Sequence, residues 1–435
     1  MSHSLVFLCP VCKAEDSIDT SKCTECGNSI KISSSVIQSV AGSWTLCAYM
    51  KWVQNSILPE QAEQILKSRL PNLPPNVTAL PIRISLMAVL RQGLISSQYI
   101  GFAHLFRRHL DLPKNRQEGI LLIYEDYFSF ISREQVMEFK MEDLTCVTTN
   151  GHYFEFKIRK KPFFQINFLY ESPLKYEILF QKLLRRFYHL QKKQIFEFQP
   201  KLRFQKPSLP AASPEIIPEK SMTPGVFQEL LRWILLFKLR ILLRFFIRVK
   251  VVHADLIPKS YPFIMLLNHQ SIFDPFIILA FLDKRIGFLT KSTSFSNGLI
   301  RWFLRLGRAI PTTRFETDPA VIRHIQKYLE CGIPVGIFPE GERCWEGEML
   351  AIKWSVVRLL YQTRVPIVPV IMGNTFAFMP RWDHKPHRQK ISLEVGAPFC
   401  LSHQNSDILE IKEWLEAHFQ NILNRNKENP VTWKN

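Results

Sequence analysis

A chain of 435 residues has room for two or three domains with cores of their own, and its 46% hydrophobic content excludes an intrinsically disordered chain. The formal net charge of +18 asks for an anionic partner: a membrane surface, nucleic acid or a polyanionic small substrate. The start, MSHSLVFLC, has neither a basic n-region nor a long apolar h-region, and five of the nine cysteines are scattered singly, so the expected setting is a reducing compartment and not secretion. No uncharged apolar run reaches the ~18 residues that read as a transmembrane helix.

Residues 1–30 carry CPVC (Cys9, Cys12) and CTECG (Cys23, Cys26), two C-x-x-C pairs ten residues apart. Four thiolates so spaced can surround a structural Zn²⁺ tetrahedrally, with Gly27 suiting the tight turn behind the second pair. A redox dithiol would need only one pair, and disulfides are disfavoured in a reducing compartment. Residues 31–114 read as a helical region of unknown role; LPEQAEQILKSRLP has the pattern of a short amphipathic helix between prolines. Residues 115–195 alternate and are rich in Ile, Phe, Tyr and Val, with turn signals at Glu125-Asp126, Arg133-Glu134, Asn150-Gly151 and Lys161-Pro162. About six short antiparallel strands are expected there, then one helix over SPLKYEILFQKLLRRFYHLQKK with Ser172 as N-cap. That order is similar to a PH or GRAM-like domain. Residues 196–224 are a Pro-rich linker.

Residues 225–425 change character again. FQELLRWILLFKLRILLRFFIRVKVV places Arg240, Arg244 and Arg248 at i, i+4 and i+8 on a very apolar helix that also carries Trp233, the pattern of a helix lying in a membrane interface. A helix packed on its own domain would explain the same apolar residues. Further on, the apolar runs YPFIMLLN, IPVGIFPEGE, VPIVPVIMGN and KISLEVGAP alternate with the helical DPFIILAFLD, SNGLIRWFLRLG, DPAVIRHIQKYLEC and AIKWSVVRLLYQ. This alternation predicts an α/β domain whose mostly buried sheet is flanked by helices, with polar motifs just beyond the strand ends. Residues 426–435 form a tail.

The chemistry centres on NHQSIFDP, residues 268–275. A histidine near neutral pKa can take a proton from a hydroxyl, and a carboxylate on its other ring nitrogen fixes the tautomer. His269 and Asp274 fit those roles, although Asp274-Pro275 also reads as an ordinary N-cap and N1 pair. NHQSIFDP resembles the first block, Asn-His-x-Ser-x-x-Asp, of the glycerolipid acyltransferases of the lysophosphatidate acyltransferase type, through Asn268, His269, Ser271 and Asp274. GRAIPTTR (307–314), FPEGER (338–343) and VPIVPV (365–370) resemble the second, third and fourth blocks in order, with Lys291 and Lys353 at the intervening lysines. Two positions depart from the pattern: Thr312-Thr313 precede Arg314 where an aspartate is usual, and Glu342 replaces a threonine.

The resemblance implies acyl transfer from acyl-CoA or acyl carrier protein to a glycerolipid hydroxyl, with 1-acyl-sn-glycerol-3-phosphate the leading acceptor. His269 would be the general base and Asp274 its orienter, with no catalytic cofactor. Asn268, Ser271, Lys291, Arg314, Glu340, Gly341, Arg343 and Lys353 would bind or shape the acceptor, the two arginines gripping its phosphate. Glu340 would position Arg343 or cap the next helix. The expected partners are an anionic membrane surface, the acyl donor, the lysolipid and a protein partner for the N-terminal half. The expected location is the cytoplasmic face of a membrane, as a peripheral or monotopic protein. Positive charge that tracks apolar helices suits bilayers better than nucleic acid. A second reading is a lipid-holding scaffold without turnover, recruited through the knuckle and the PH-like segment; Glu342 favours it, because a carboxylate beside a phosphate site needs a paired cation.

Overall fold

The computed structural model describes residues 6–19, 21–32, 36–57, 81–99, 106–111, 116–150, 152–161, 163–205, 208, 226–259, 262–282, 285–295, 298–312, 319–383, 385–401 and 407–428. The helix expected in LPEQAEQILKSRLP, and Arg314, lie outside them. Two compact units emerge, one from described residues up to 96 and between 110 and 205, the other from residues 97–99 and 106–109, at the end of β6 and the start of β7, with those between 206 and 313 and beyond 318.

The N-terminal unit begins with a two-strand hairpin, β1 (Ile18–Asp19) and β2 (Lys22–Cys23), inside the cysteine region. A three-strand antiparallel sheet follows, β3 (Ile30–Ile32), β4 (Val36–Ser39) and β5 (Gly42–Thr45), and then helix α1 (Leu46–Ser56), N-capped by the Thr45 hydroxyl. The helical region expected over 31–114 is therefore mostly strand where it is described. RISLMAVLRQGLISSQY forms the 17-residue β6 (Arg83–Tyr99). Its apolar residues lack a clean period, and pairing decides its conformation: β6 lies antiparallel between β8 (Gln117–Ile123) and β13 (Phe163–Phe168). A further strand, β7 (Phe106–Asp111), precedes β8.

With β9 (Tyr127–Ser132), β10 (Val136–Lys140), β11 (Leu144–Asn150) and β12 (Tyr153–Ile158), the strands run in the order β10-β9-β8-β6-β13-β12-β11. Helix α2 (Pro173–Leu190) closes this sheet, packing Tyr176, Leu179, Phe180, Leu183 and Leu184 onto Phe128, Phe154, Phe156 and Ile166. Ser172 holds the N-cap position as expected but makes no side-chain cap bond; its N–H donates to Asp16 instead, at 3.1 Å. The start of the expected linker also belongs to this unit, because Leu202 sits in its core and donates to the Thr145 carbonyl at 2.8 Å.

The cysteine region is not a free-standing module. Asp16 and Glu171 pair with the fully buried Lys175, and Glu15 pairs with Arg83 at the start of β6. Burial works against the Lys175 ammonium, but Tyr176 and the surrounding carboxylates outweigh it and hold its pKa above the usual lysine value.

The C-terminal unit opens with helix α3 (Val226–Arg244), and Ile247–Val252 is then strand β14. Arg248 therefore leaves the helical stripe: IRVKVV is β-branched and pairs in parallel with β20 (Gln389–Val395). The central sheet adds β15 (Ile264–Leu267), β16 (Gly287–Lys291), β17 (Ile310–Thr312), β18 (Val335–Ile337) and β19 (Ile367–Gly373), in the order β14-β20-β19-β15-β18-β16-β17. All pairings are parallel except β19 with β20. The helices are α4 (Asp274–Phe281), α5 (Gly298–Leu306), α6 (Pro319–Glu330), α7 (Trp354–Thr363), α8 (Thr375–Phe378) and α9 (Ile408–Glu428), the last running past the expected boundary at 425. Two apolar clusters form the core, and β15 contributes to both, Ile264 and Leu266 to one and Met265 and Leu267 to the other. β15 is bordered by β18 and β19, so the loops after β15 and β18 leave the sheet side by side at the carboxyl ends of parallel strands.

Candidate active site

NHQSIFDP is the turn that leaves β15. Asn268 is fully buried; its amide accepts from the Met372 N–H at 2.7 Å and donates to the Met372 carbonyl at 3.1 Å. Both ends of this side chain are thus committed to β19, and Asn268 anchors the turn instead of facing a ligand. Asp274 is the first helical residue, with Phe273 at the N-cap position, so the expected N-cap assignment is corrected by one residue. Its Oδ2 accepts from the Gln270 N–H at 2.7 Å and the Ser271 N–H at 2.8 Å, and meets His269 Nδ1 at 2.9 Å. One carboxylate oxygen therefore gathers the turn and the imidazole. Ser271 is fully buried as well, its hydroxyl accepting from the Phe273 N–H at 3.4 Å. Gln270, which carried no sequence signal, bridges the Gly347 carbonyl at 2.8 Å and the Thr375 hydroxyl at 3.2 Å.

The FPEGER loop leaves β18 beside this turn. Phe338 stacks on the His269 ring, with centroids 4.1 Å apart and planes at 22°. Glu340 is buried and accepts from the His269 N–H at 2.7 Å and the Leu350 N–H at 2.7 Å. Its two oxygens do not cap the next helix; they staple the His269 backbone to the following loop. Burial pushes the Glu340 carboxyl well above its ordinary pKa, and the two N–H donors pull it back. Gly341 has φ +71°, the left-handed region that a side chain would strain, and a Cβ there would lie 3.5 Å from the Lys353 stem. Lys353 itself is the N-cap residue of α7, its N–H donating to the Pro339 carbonyl at 2.9 Å. The Cys344 N–H closes the loop onto the His269 carbonyl at 3.0 Å. Lys291 ends β16, half-buried, in register with Thr312 of β17.

Glu342 has its cation. Arg381, 38 residues beyond Arg343 in the chain, donates through Nη1 to Glu342 Oε2 at 3.0 Å and to the Arg343 carbonyl at 2.9 Å. Its guanidinium lies 4.2 Å over the Trp345 ring.

Burial lowers the His269 pKa below its ordinary 6.5 and the Arg343 and Arg381 charges push the same way, while Asp274 opposes them. The imidazole is therefore neutral near pH 7, with Nδ1 occupied by Asp274 and Nε2 left to accept a proton. Its side chain keeps 19% of its surface exposed. The arrangement can deprotonate a hydroxyl brought to Nε2 and stabilise the resulting imidazolium.

In the N-terminal unit the Sγ atoms of Cys9, Cys12, Cys23 and Cys26 all lie within 4.8 Å of one another, with Cys9 to Cys26 at 3.8 Å and Cys12 to Cys23 at 3.6 Å. Zn–S bonds of about 2.3 Å in a tetrahedron require S···S edges of about 3.8 Å, so the four thiols fit that ion. The Ser17 hydroxyl is 3.2 Å from the Cys23 Sγ, and the Val11 N–H and Asn28 amide donate to the Cys9 and Cys26 sulfurs, as metal-bound thiolates require.

Residues 248–373 match the family model described as Acyltransferase. A human 1-acyl-sn-glycerol-3-phosphate acyltransferase alpha is 34% identical over 134 residues, 29% of this chain and 46% of its own. A chloroplastic 1-acyl-sn-glycerol-3-phosphate acyltransferase of Arabidopsis thaliana is 27% identical over 31% of this chain and 38% of its own. The chain thus spans less than half the length of these two relatives. A crystal structure of the 1-acyl-sn-glycerophosphate acyltransferase PlsC from Thermotoga maritima aligns with 49% of this chain and 86% of its own, at 22% identity and a TM-score of 0.39. The family match and the four blocks fall on the same segment, so residues 248–373 of the C-terminal unit are similar to acyltransferases.

Proposed function

We propose that the C-terminal unit transfers a fatty acyl group from acyl-CoA or acyl carrier protein to the free hydroxyl of a lysophospholipid or glycerol phosphate, foremost 1-acyl-sn-glycerol-3-phosphate, in phospholipid synthesis. The observation that carries this reading is the His269 ring held at Nδ1 by Asp274, 2.9 Å away, and stacked on Phe338. His269 Nε2 takes the hydroxyl proton as the acceptor oxygen attacks the thioester carbonyl. The tetrahedral oxyanion collapses, the C–S bond breaks, and the imidazolium returns its proton to the leaving thiolate. Products are the new ester and the free carrier thiol. Arg343 and Arg314 hold the acceptor phosphate, and Lys291 and Lys353 add positive charge near it.

The lipid reaches the site from a bilayer. Among the described residues no helix is long and apolar enough to cross a membrane. α3 instead lies on its own unit through Leu236, Leu239 and Leu243 and leaves Phe227, Leu230, Trp233 and Phe237 exposed for the interface. The N-terminal unit serves docking, with zinc in the cysteine cluster. Purified protein is expected to move radiolabelled acyl groups from acyl-CoA to a lysolipid, and His269→Ala to abolish transfer with an unchanged circular dichroism spectrum; full activity in that variant sinks the mechanism. The non-catalytic scaffold reading rested on an uncompensated Glu342, and the Arg381 contact removes that support.

A further inference from the structure

We propose that Arg381 is a positioning residue that sets how tightly this site takes a phosphate-bearing acceptor, by neutralising Glu342 and fixing the backbone that presents Arg343. The inference rests on the acyltransferase reading of His269 and names a residue outside all four sequence blocks.

The geometry is specific. One guanidinium nitrogen donates both to the Glu342 carboxylate, at 3.0 Å, and to the carbonyl of the very next residue, Arg343, at 2.9 Å. Arg381 is only 6% exposed and Trp345, the ring under its guanidinium, only 8%. A cation so enclosed, stacked and hydrogen-bonded is held far more tightly than a surface arginine, and it immobilises what it holds. What it holds is the Glu342 side chain and the Arg343–Cys344 peptide, just after Gly341, whose positive φ re-aims the chain at that point. The Arg343 side chain, assigned to the acceptor phosphate, therefore leaves a backbone whose position is set by Arg381.

Glu342 supplies the electrostatic half of the device. A carboxylate next to a phosphate-binding arginine competes with phosphate for that arginine. With Arg381 in place the Glu342 charge has a cation supplied from outside the loop. The Arg343 and Arg381 guanidinium groups also act on the His269 imidazole, which places the pair within electrostatic range of the base. Without Arg381, Glu342 loses a partner in a nearly dry position, where removing one member of an ion pair costs more than removing both.

The test is steady-state transfer by the full-length protein from acyl-CoA to micellar 1-acyl-sn-glycerol-3-phosphate, with acceptor and donor varied separately. Arg381→Gln is expected to raise the acceptor KM about tenfold or more while kcat and the donor KM stay within about twofold. Arg381→Lys, which keeps the charge but loses the planar stack on Trp345, should fall between. The double variant Glu342→Gln/Arg381→Gln should recover the acceptor KM to within about threefold of wild type, because the carboxylate is removed together with the cation that answers it. A merely structural role predicts the opposite order, with the double variant no better than the single and kcat and both KM values affected alike. That result, or an unchanged acceptor KM in Arg381→Gln, overturns the proposal while leaving the acyltransferase reading intact. A wild type that transfers nothing to a lysolipid panel removes that reading first, and this inference with it.

Discussion

At the scale of single residues, the His269 imidazole is governed by opposing fields. Among the described residues, the charged or titratable groups around His269 include Asp274, Arg343, Arg381, Cys344 and Glu340, which accepts from its backbone. Burial and the two arginines lower its pKa below the ordinary 6.5, so the neutral, proton-accepting form persists into mildly acidic solution. The acid limb of kcat/KM for the free enzyme should accordingly lie below pH 6.5. Asp274 is the group pulling upward, so Asp274→Asn should move that limb to still lower pH while plateau activity falls about 10³–10⁴-fold through loss of the tautomer. An acid limb that rises in this variant contradicts the assignment. Glu340 acts one step back, with both oxygens on backbone N–H groups. A glutamine has only one acceptor oxygen and turns an N–H donor toward the second amide, releasing either His269 or the 350 loop. Glu340→Gln is expected to lose about 10²-fold in kcat with little change in thermal midpoint, as small misplacements of a reacting group do. The contact between His269 and Asp274 was legible because a His and an Asp at that spacing share one turn. The partners of Glu340 and of Arg381 were not, because nothing local in the sequence says which backbone groups a buried carboxylate meets, or which arginine 39 positions on will pair with Glu342.

At the scale of elements, α3 shows why an apolar helix with basic residues was ambiguous from sequence. Both readings describe one of its faces. Glu229, flanked by Arg308 at 2.6 Å, Arg285 at 3.4 Å and Arg232 at 3.9 Å, pins the start of the helix to its own unit. An adjoining face leaves Trp233 59% and Phe237 51% exposed, with the two rings stacked. Two aromatic side chains entering a bilayer interface contribute about 1.5–3 kcal/mol each at full burial. Trp233→Asp/Phe237→Asp should therefore lower partitioning onto anionic vesicles by at least about tenfold in a sedimentation assay. Soluble, folded protein is still expected, since neither side chain belongs to the core. Undiminished vesicle binding would assign the membrane contact elsewhere. The element errors have one cause. β6 and β14 were read as helix because their apolar residues suit either period at short range, and the choice was made by partners remote in sequence, β8 and β13 for one and β20 for the other. The strands bounded by turn signals, β8 to β13, needed no such partner to be visible.

At the scale of the whole molecule, each unit has a core of its own, and the cysteine region belongs to the first of them. The acidic residues between its two C-x-x-C pairs reach into the β unit: Glu15 to Arg83 of β6, and Asp16 to Lys175 and the Ser172 N–H at the start of α2. The sequence could show the ligand spacing but not this junction, whose partners lie 68 and 159 positions away. A metal in the cluster thus fixes more than its own loop. If the four thiolates are released, Asp16 and Glu15 are no longer held in place, and the buried Lys175 ammonium loses part of what pays for its desolvation. Full-length protein should carry one zinc per chain by elemental analysis. Cys12→Ser/Cys26→Ser, or a strong chelator, should remove it and lower the calorimetric transition of the N-terminal unit by roughly 10 °C, several kcal/mol at the usual conversion for a unit of this size. Zinc loss with an unchanged transition would make the knuckle an appendage and leave the ion cluster self-sufficient. Lys175→Met separates the two cases further. It removes the central cation while sparing the cysteines, so zinc should remain bound while the same transition falls, because Asp16 and Glu171 are left without their shared counter-charge in the interior.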